Sequence, residues 1–313
     1  PRAASSVDYG HAYADEKLEA FEREARRAFS DALESAKSNL EEFIAVFEKR
    51  DAKMLAKVDD GSITQKEYDT WRLATMARGK RYERMVDSLS RTMTDTNSAA
   101  MALLRNVLPD VFMENANYAA FVIDDVESGF ADANFYDAAT VKNLIGGYDA
   151  FPKPSVNVKK DRAWNRRQIN STLTTAILTG APTRKLAESL MAVAEMNEAA
   201  ANRNARTAIT AAENLGRTDT YNRAIGMGIE MKQQWLSTID ARTRKSHAAL
   251  DGEVCEVGGT FSNGCRYPGD PAAPAGEIYN CRCTLVAWFP GADDDNRSEL
   301  ERGKEYLEWK LGR

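Results

Sequence analysis

Long apolar runs are missing from this chain of 313 residues, and so is any charged-then-apolar leader, so neither a bilayer span nor a secretory signal is expected and the protein reads as soluble and made in a cytoplasm. Histidine is nearly absent, with His11 and His247 alone, which leaves few candidates for general-base chemistry. No G-x-S-x-G, Walker loop, H-E-x-x-H or deaminase-type signature occurs. A formal net charge of -5 excludes nucleic-acid coating by bulk charge and leaves room for a local basic face. Cysteine is scarce too. The four thiols, Cys255, Cys265, Cys281 and Cys283, all fall in the C-terminal part, where a reducing compartment makes them free thiols or metal ligands before disulfides, a Cys255–Cys265 bridge being the further alternative. The first residue is Pro1, which fits removal of an initiator Met or a processing cut.

What is present is helical periodicity. From Asp15 to about Val58, Leu18, Phe21, Ala25, Phe29, Leu33, Ala36, Leu40, Ile44 and Phe47 recur every three or four residues, with mixed charges between them, which gives one buried face on a long helix. Asp59-Asp60-Gly61-Ser62 turns the chain, and Thr64 with Glu67 has the form of a capping box that starts a second helix carrying Tyr68, Trp71, Tyr82, Met85, Leu89 and Met93. A long antiparallel hairpin is the simplest arrangement. Shorter helices are expected around Ala99–Leu108, Asn115–Ile123 and Ala138–Leu144.

Breakers from Gly146 to Pro154 mark a boundary. Beyond it, Lys159, Lys160, Arg162, Arg166 and Arg167 form a basic stretch that reads first as a solvated helix face and second as a contact patch for DNA or an acidic partner. A helix through Ile169, Leu173 and Ile177 ends at Gly180, another restarts at Pro182 and Thr183, and helix resumes from Asn202 to Met231, with Gly216, Gly226 and Gly228 marking breaks or close helix contacts. From Lys232 the composition turns to strands, at Trp235–Ile239, Val254–Val257 and Cys281–Phe289. Asp293-Asp294-Asp295 suits the start of a terminal helix bearing Leu300, Tyr306, Leu307 and Leu311. The fold class is therefore mainly α with a small C-terminal α+β unit and a long N-terminal helical hairpin. The divisions are 1–150 (hairpin and short helices), 151–231 (middle helices), 232–291 (α+β) and 292–313 (terminal helix).

The chemistry-bearing residues gather in the α+β part. On an extended strand Cys281 and Cys283 share a face, so two thiolates and His247 can supply three tetrahedral zinc ligands, with Cys265, Cys255 or Asp240 as the fourth. The competing reading makes both cysteines small buried side chains and His247 a hydrogen-bond partner of a carboxylate. Catalysis would need His247 oriented by Asp240 or Asp251, or Cys281 activated by His247. Asp240 and Arg244, four apart, make an ordinary ion pair if that segment is helical. Asn280 is expected to bond backbone in the long loop before the cysteines.

The segments Trp235-Leu-Ser-Thr-Ile-Asp240-Ala-Arg-Thr-Arg244-Lys-Ser-His247-Ala-Ala-Leu-Asp251-Gly252, Phe261, Tyr267-Pro268-Gly269-Asp270-Pro271 and Asn280-Cys281-Arg282-Cys283 closely resemble the phage Mu F-like minor head protein family, also called phage head morphogenesis proteins. The resemblance is strongest over residues 205 to 289. Ala205-Arg206-Thr207 and Asp60-Gly61-Ser62-Ile63-Thr64 add to it, and Ala208 departs from it where family members often carry an acidic residue. It implies a minor capsid protein inside the head of a tailed phage near the portal vertex. The implied partners are the portal protein, the major capsid protein or scaffold, and packaged DNA through a local basic patch, with no membrane. No enzymatic activity is implied. The family's Asp, His and Cys motif also invites a metal, zinc above all, at His247, Cys281, Cys283 and Cys265.

Overall fold

A computed structural model describes residues 8–178, 183–291 and 299–312, apart from the side chains of 76–78, 177–178, 183–184 and 299–300. The expectations placed on Pro1, the Gly180–Pro182 break, Asp293–Asp295 and Leu300 lie outside the described residues. The helices are α1 (Tyr9–Asp59), α2 (Gln65–Arg78), α3 (Lys80–Asp124), α4 (Phe130–Ala133), α5 (Ala138–Ile145), α6 (Val158–Leu178), α7 (Thr183–Gly226), α8 (Lys245–Ala249), α9 (Ala275–Ile278) and α10 (Glu299–Leu311). Strands β1 (Lys232–Leu236), β2 (Val254–Glu256) and β3 (Thr284–Trp288) complete the chain. The fold class is mainly α with a small C-terminal sheet, as its periodicities require. Two compact units form. One holds residues 23–102 and 155–201, the other residues 1–22, 103–154 and 202–313.

In the first unit α1 and the pair α2 and α3 run antiparallel. Tyr68 donates to Asp51 at 2.8 Å, Trp71 stacks on Phe47 and Tyr82 meets Phe43, so contacts step back along α1 as the chain steps forward. The capping box is formed, with Thr64 Oγ1 accepting from Glu67 N and the Glu67 carboxylate accepting from Thr64 N. One helix was expected from there through Met93. The chain instead breaks at Gly79, whose ψ of 123° is extended and ends α2 before α3 begins. A buried amide ladder ties α3, α6 and α7 together: Asn97 donates to Asn197 at 2.6 Å, Asn197 to Asn165 at 2.9 Å, and Asn165 to Asp161 at 3.0 Å. Asn165 and Asn197 each donate and accept, and Asn97 donates to both Asn197 and Asp161, so the cost of burying them is offset.

The second unit corrects one expected break. α3 runs straight through Pro109, where separate short helices were expected. A proline removes one helical hydrogen bond and crowds the preceding turn. Here Leu104, Leu108, Val111, Phe112 and Ala116, none more than 0 % exposed, carry one buried face across it, and that packing outweighs the local cost. At Gly216 the second of the two expected readings holds: α7 continues, and a Cβ would stand 2.3 Å from the Phe112 carbonyl oxygen. The glycine marks a close helix crossing. The terminal helix α10 docks on its own unit, with Tyr306 fully buried against Tyr9, Tyr118 and Phe121, and Lys310 paired with Glu114.

A knot of buried charge holds the start of α1. Arg217 on α7 donates to both oxygens of Asp8 at 2.6 Å, to Asn115 Oδ1 at 3.0 Å and to the Leu285 carbonyl at 2.8 Å. Beside it, His11 Nδ1 lies 2.8 Å from Glu213 Oε1. Burial alone would lower the pKa of His11, but the Glu213 carboxylate outweighs it and raises the value from 6.5 to about 9. The resulting stabilisation is complete below the unfolded value of 6.5 and is lost as pH rises through about 9. Urea melts across that window are expected to show stability falling from neutral to alkaline pH, with His11→Gln flattening the fall. An unchanged slope in the variant would remove His11 as the cause.

Candidate metal centre

The sheet is antiparallel in the order β2-β1-β3, which leaves one edge of β3 unpaired by strands. Exposed edges invite uncontrolled pairing and are usually covered. Here α7 covers it with side chains. Thr210 Oγ1 donates to the Cys281 carbonyl at 2.8 Å, Asn214 Nδ2 to the Cys283 carbonyl at 3.3 Å, and Arg217 Nη1 to the Leu285 carbonyl at 2.8 Å. Asn214 Oδ1 also accepts from Leu285 N at 2.7 Å. Steps of four and three along the helix thus match steps of two along the strand, because both advance about 5–7 Å. Asn214→Ala leaves a buried N–H and a buried carbonyl unpaired and should cost about 1–3 kcal/mol in urea denaturation. A loss within about 0.5 kcal/mol would show that the edge needs no such cover.

The ladder fixes the two cysteines just before β3. Both were expected on the strand itself. Asn280 instead takes a left-handed φ of 57°, its side chain accepting from Arg206 at 3.4 Å rather than bonding loop backbone, and the ladder begins only at Thr284. Both sulfurs nevertheless face one atom. His247 Nδ1 is 3.6 Å from Cys281 Sγ and 3.4 Å from Cys283 Sγ, and the three ligand atoms all lie within 4.8 Å of one another. His247 sits on α8, held by Ser237 Oγ donating to its carbonyl at 2.6 Å and by the edge of Trp235 against its ring. Asp251 accepts from Ser237 N at 2.9 Å and so braces the same corner.

Glu277 on α9 is the residue that the sequence did not single out. Its Oε2 is 3.0 Å from His247 Nε2, though too far off the N–H direction for a hydrogen bond, which leaves Nε2 buried and unpartnered. Ser246 and Asn263 donate to the same carboxylate and hold it there. Asp240, expected beside His247 or in a helical pair with Arg244, does neither. It faces Arg282 through two bonds of 2.7 and 2.6 Å, which hold its carboxyl well below the usual range, while Arg244 donates to the Tyr279 carbonyl. The segment around Asp240 is a turn rather than a helix, so the spacing of four has no meaning there. Cys265 is fully buried and Cys255 half-buried beside Gln233; both are free thiols and neither joins the cluster. The Tyr267–Pro271 loop presses Gly269 onto α7, where a Cβ would meet Ala211 N at 2.9 Å, and Arg266 clamps the buried Asp270 at 2.8 Å.

The donors fit a metal. Bonds of about 2.3 Å to sulfur and about 2.0–2.1 Å to nitrogen make the nitrogen-to-sulfur edge of a zinc tetrahedron about 3.5 Å, which is the spacing found. A carboxylate behind the other ring nitrogen is what selects and orients a ligating imidazole. The Cys281 thiol donating toward Cys283 and the nearby His247 pull the Cys283 pKa down, while Cys281 is pushed up by the same contact. The same atoms also line up as nucleophile, base and carboxylate. His247, Cys281 and Cys283 are 2 %, 0 % and 2 % exposed, however, so no substrate reaches them as they stand.

Residues 167–286 match the family described as Phage Mu protein F like protein. The chain is similar to the Minor head protein GP7 of Bacillus phage SPP1, 21% identical over 254 residues that make up 76% of this chain and 80% of that one. It is also similar to the NAD(+)--arginine ADP-ribosyltransferase EFV of Enterococcus faecalis, 27% identical over 180 residues. That match takes in 55% of this chain but spans only 37% of the ADP-ribosyltransferase. No solved structure matches the chain significantly.

Proposed function

We propose that this chain is a minor head protein of a tailed bacteriophage, bound to the portal or the inner capsid surface, where it supports head assembly and DNA packaging or delivery. The observation that carries this reading is the match to a minor head protein across 80% of that protein's length. The helical construction suits it, since long amphipathic helices offer continuous faces for neighbouring subunits. No described helix is long and apolar enough to cross a membrane. Co-expression with portal, scaffold and major capsid proteins tests the role: the chain should sediment with procapsids that contain portal, and a chain that stays at the top of the gradient overturns it.

Within that role His247, Cys281 and Cys283 hold a structural zinc that fastens the turn before β3 to α8. A structural site is closed, and this one is buried on every ligand. Cys265, fully buried in the same unit, is the thiol available as a fourth donor on rearrangement. The second reading, a metal-dependent DNA-processing enzyme, is favoured only by the alignment of Cys283, His247 and Glu277. Cleavage of plasmid DNA by the purified protein, lost in His247→Ala, would establish it; no cleavage with any added divalent ion would eliminate it.

A further inference from the structure

The compact unit of residues 23–102 and 155–201 carries a groove that the head-protein reading does not use. It is a cavity of about 430 Å³ between the middle of α1, the end of α2 and the start of α3. Its floor is aromatic, made by Phe43, Phe47 and Tyr82, and its rim is cationic, made by Arg50, Lys80, Arg81 and Arg84. No carboxylate lines it among the described residues. All four cations are exposed, and none is engaged in an ion pair among the described residues. In a chain of net charge -5 such a concentration of one sign needs a reason.

On the other side of Lys80 and Arg84 lies a second, more open groove of mixed charge, lined by Arg91 and Arg166 together with Glu83 and Asp87. Asp87 there is shared by Arg162, at 2.7 and 2.8 Å, and Arg91, at 3.4 Å, so the charge of this second groove is partly offset. We infer that the first groove docks an acidic segment of a partner protein, one that lays a single bulky apolar side chain over Phe43, Phe47 and Tyr82 and flanking carboxylates on the rim of Arg50, Lys80, Arg81 and Arg84.

The state of the rings separates a peptide from a nucleic acid. Single strands are held by bases stacking on exposed aromatic faces. Phe47 lies between Phe43 and Trp71, stacked on both at 6.3 Å, and Tyr82 is 2 % exposed with its hydroxyl bonded to Thr174. No ring face is free for a base. What the groove offers is a concave apolar surface for one side chain, and anchors of this kind flanked by charge are where binding energy concentrates in protein interfaces.

A random peptide display library panned on the full chain provides the test, with an Arg81→Glu/Arg84→Glu double variant as the comparison and calorimetry confirming that both proteins melt alike. The wild type should enrich peptides with an aromatic residue or leucine between acidic residues. Synthetic copies should lose about tenfold or more in affinity on the double variant and weaken as salt rises. Enriched peptides that are neutral or basic, or that bind both proteins equally, overturn the proposal. So does failure to enrich any sequence that depends on the two arginines. A mixed-sequence single-stranded oligonucleotide run alongside decides the remaining case: if it binds and is lost in the double variant while no acidic peptide is, the surface is for nucleic acid.

Discussion

Arg217→Met is expected to lower the stability of the unit containing the sheet by about 3–5 kcal/mol, the cost of removing one partner from a buried charge cluster. The side chain is 2 % exposed and reaches four groups at once: both Asp8 oxygens, Asn115, and the carbonyl of Leu285. Methionine fills much of the volume and supplies none of the donors. The Asp8 carboxylate would then stay buried with only His11 nearby, Glu213 would lose the guanidinium 3.8 Å away, and the edge of β3 would lose its last side-chain bond. Urea denaturation followed by the fluorescence of the fully buried Trp235 reports on this unit. A control separates lost charge balance from lost packing. If the cost is the unpaired carboxylate, Asp8→Asn in the Arg217→Met background should return part of it, whereas simple loss of packing gives additive losses. A cost under about 1 kcal/mol would mean that water or rearrangement satisfies the carboxylates and that the knot is not a structural centre.

That knot shows what the sequence could and could not reveal. The long helices were legible because their signal is local: apolar positions at steps of three and four from Leu18 to Phe47, and a capping box at Thr64. Breaks were overread for the same reason. Pro109 is a breaker by local preference, and the packing of Phe112 and its neighbours that overrides it includes Gly216, about a hundred positions away, where the chain needed a close contact rather than a break. Gly79 failed in the opposite direction, since nothing around it in sequence marks the extended ψ that splits α2 from α3.

At the candidate centre the residue types were legible and their pairing was only half so. Cysteines two apart with a lone histidine upstream named the cluster of His247, Cys281 and Cys283. The partner carboxylate did not follow from spacing, because Asp240 sits on a turn that delivers it to Arg282, while Glu277 arrives from a four-residue helix beyond a proline-rich loop. Nor could the α7 ladder be read in advance. Thr210, Asn214 and Arg217 look like ordinary polar residues on a helix until a strand edge lies against them. A helix bearing polar residues at steps of four and three, followed at a distance by a C-x-C turn that leads into a short strand, is the pattern that would have exposed it.

Zinc removal should have the more specific effect on the sheet. Three donors already stand at tetrahedral spacing in a buried site, so little ordering remains to be done on binding, and bound ion stabilises the folded form alone. Protein purified without chelator is expected to contain about one zinc per chain. At free zinc about 100-fold above the dissociation constant the stabilisation is about 2.7 kcal/mol, and an ion bound as tightly as in small zinc modules contributes more. Calorimetry before and after chelation should therefore show the sheet-bearing unit melting lower, with the melt restored by added zinc. Glu277→Gln keeps all three ligands but removes the charge behind His247 Nε2, so it should retain zinc with affinity weakened about 10–100-fold. Cys283→Ser should abolish binding and melt like the chelated wild type. Affinity should also fall as pH drops, because both thiols must lose their protons to bind. The opposing result is equally sharp: no zinc in the purified protein, a melt indifferent to chelator and a Cys283→Ser variant as stable as its parent would make His247, Cys281 and Cys283 a packed, metal-free core. In that event the unpartnered Nε2 of His247 must be satisfied by a small shift of Glu277 into line, and Glu277→Gln should then cost stability with no metal present at all.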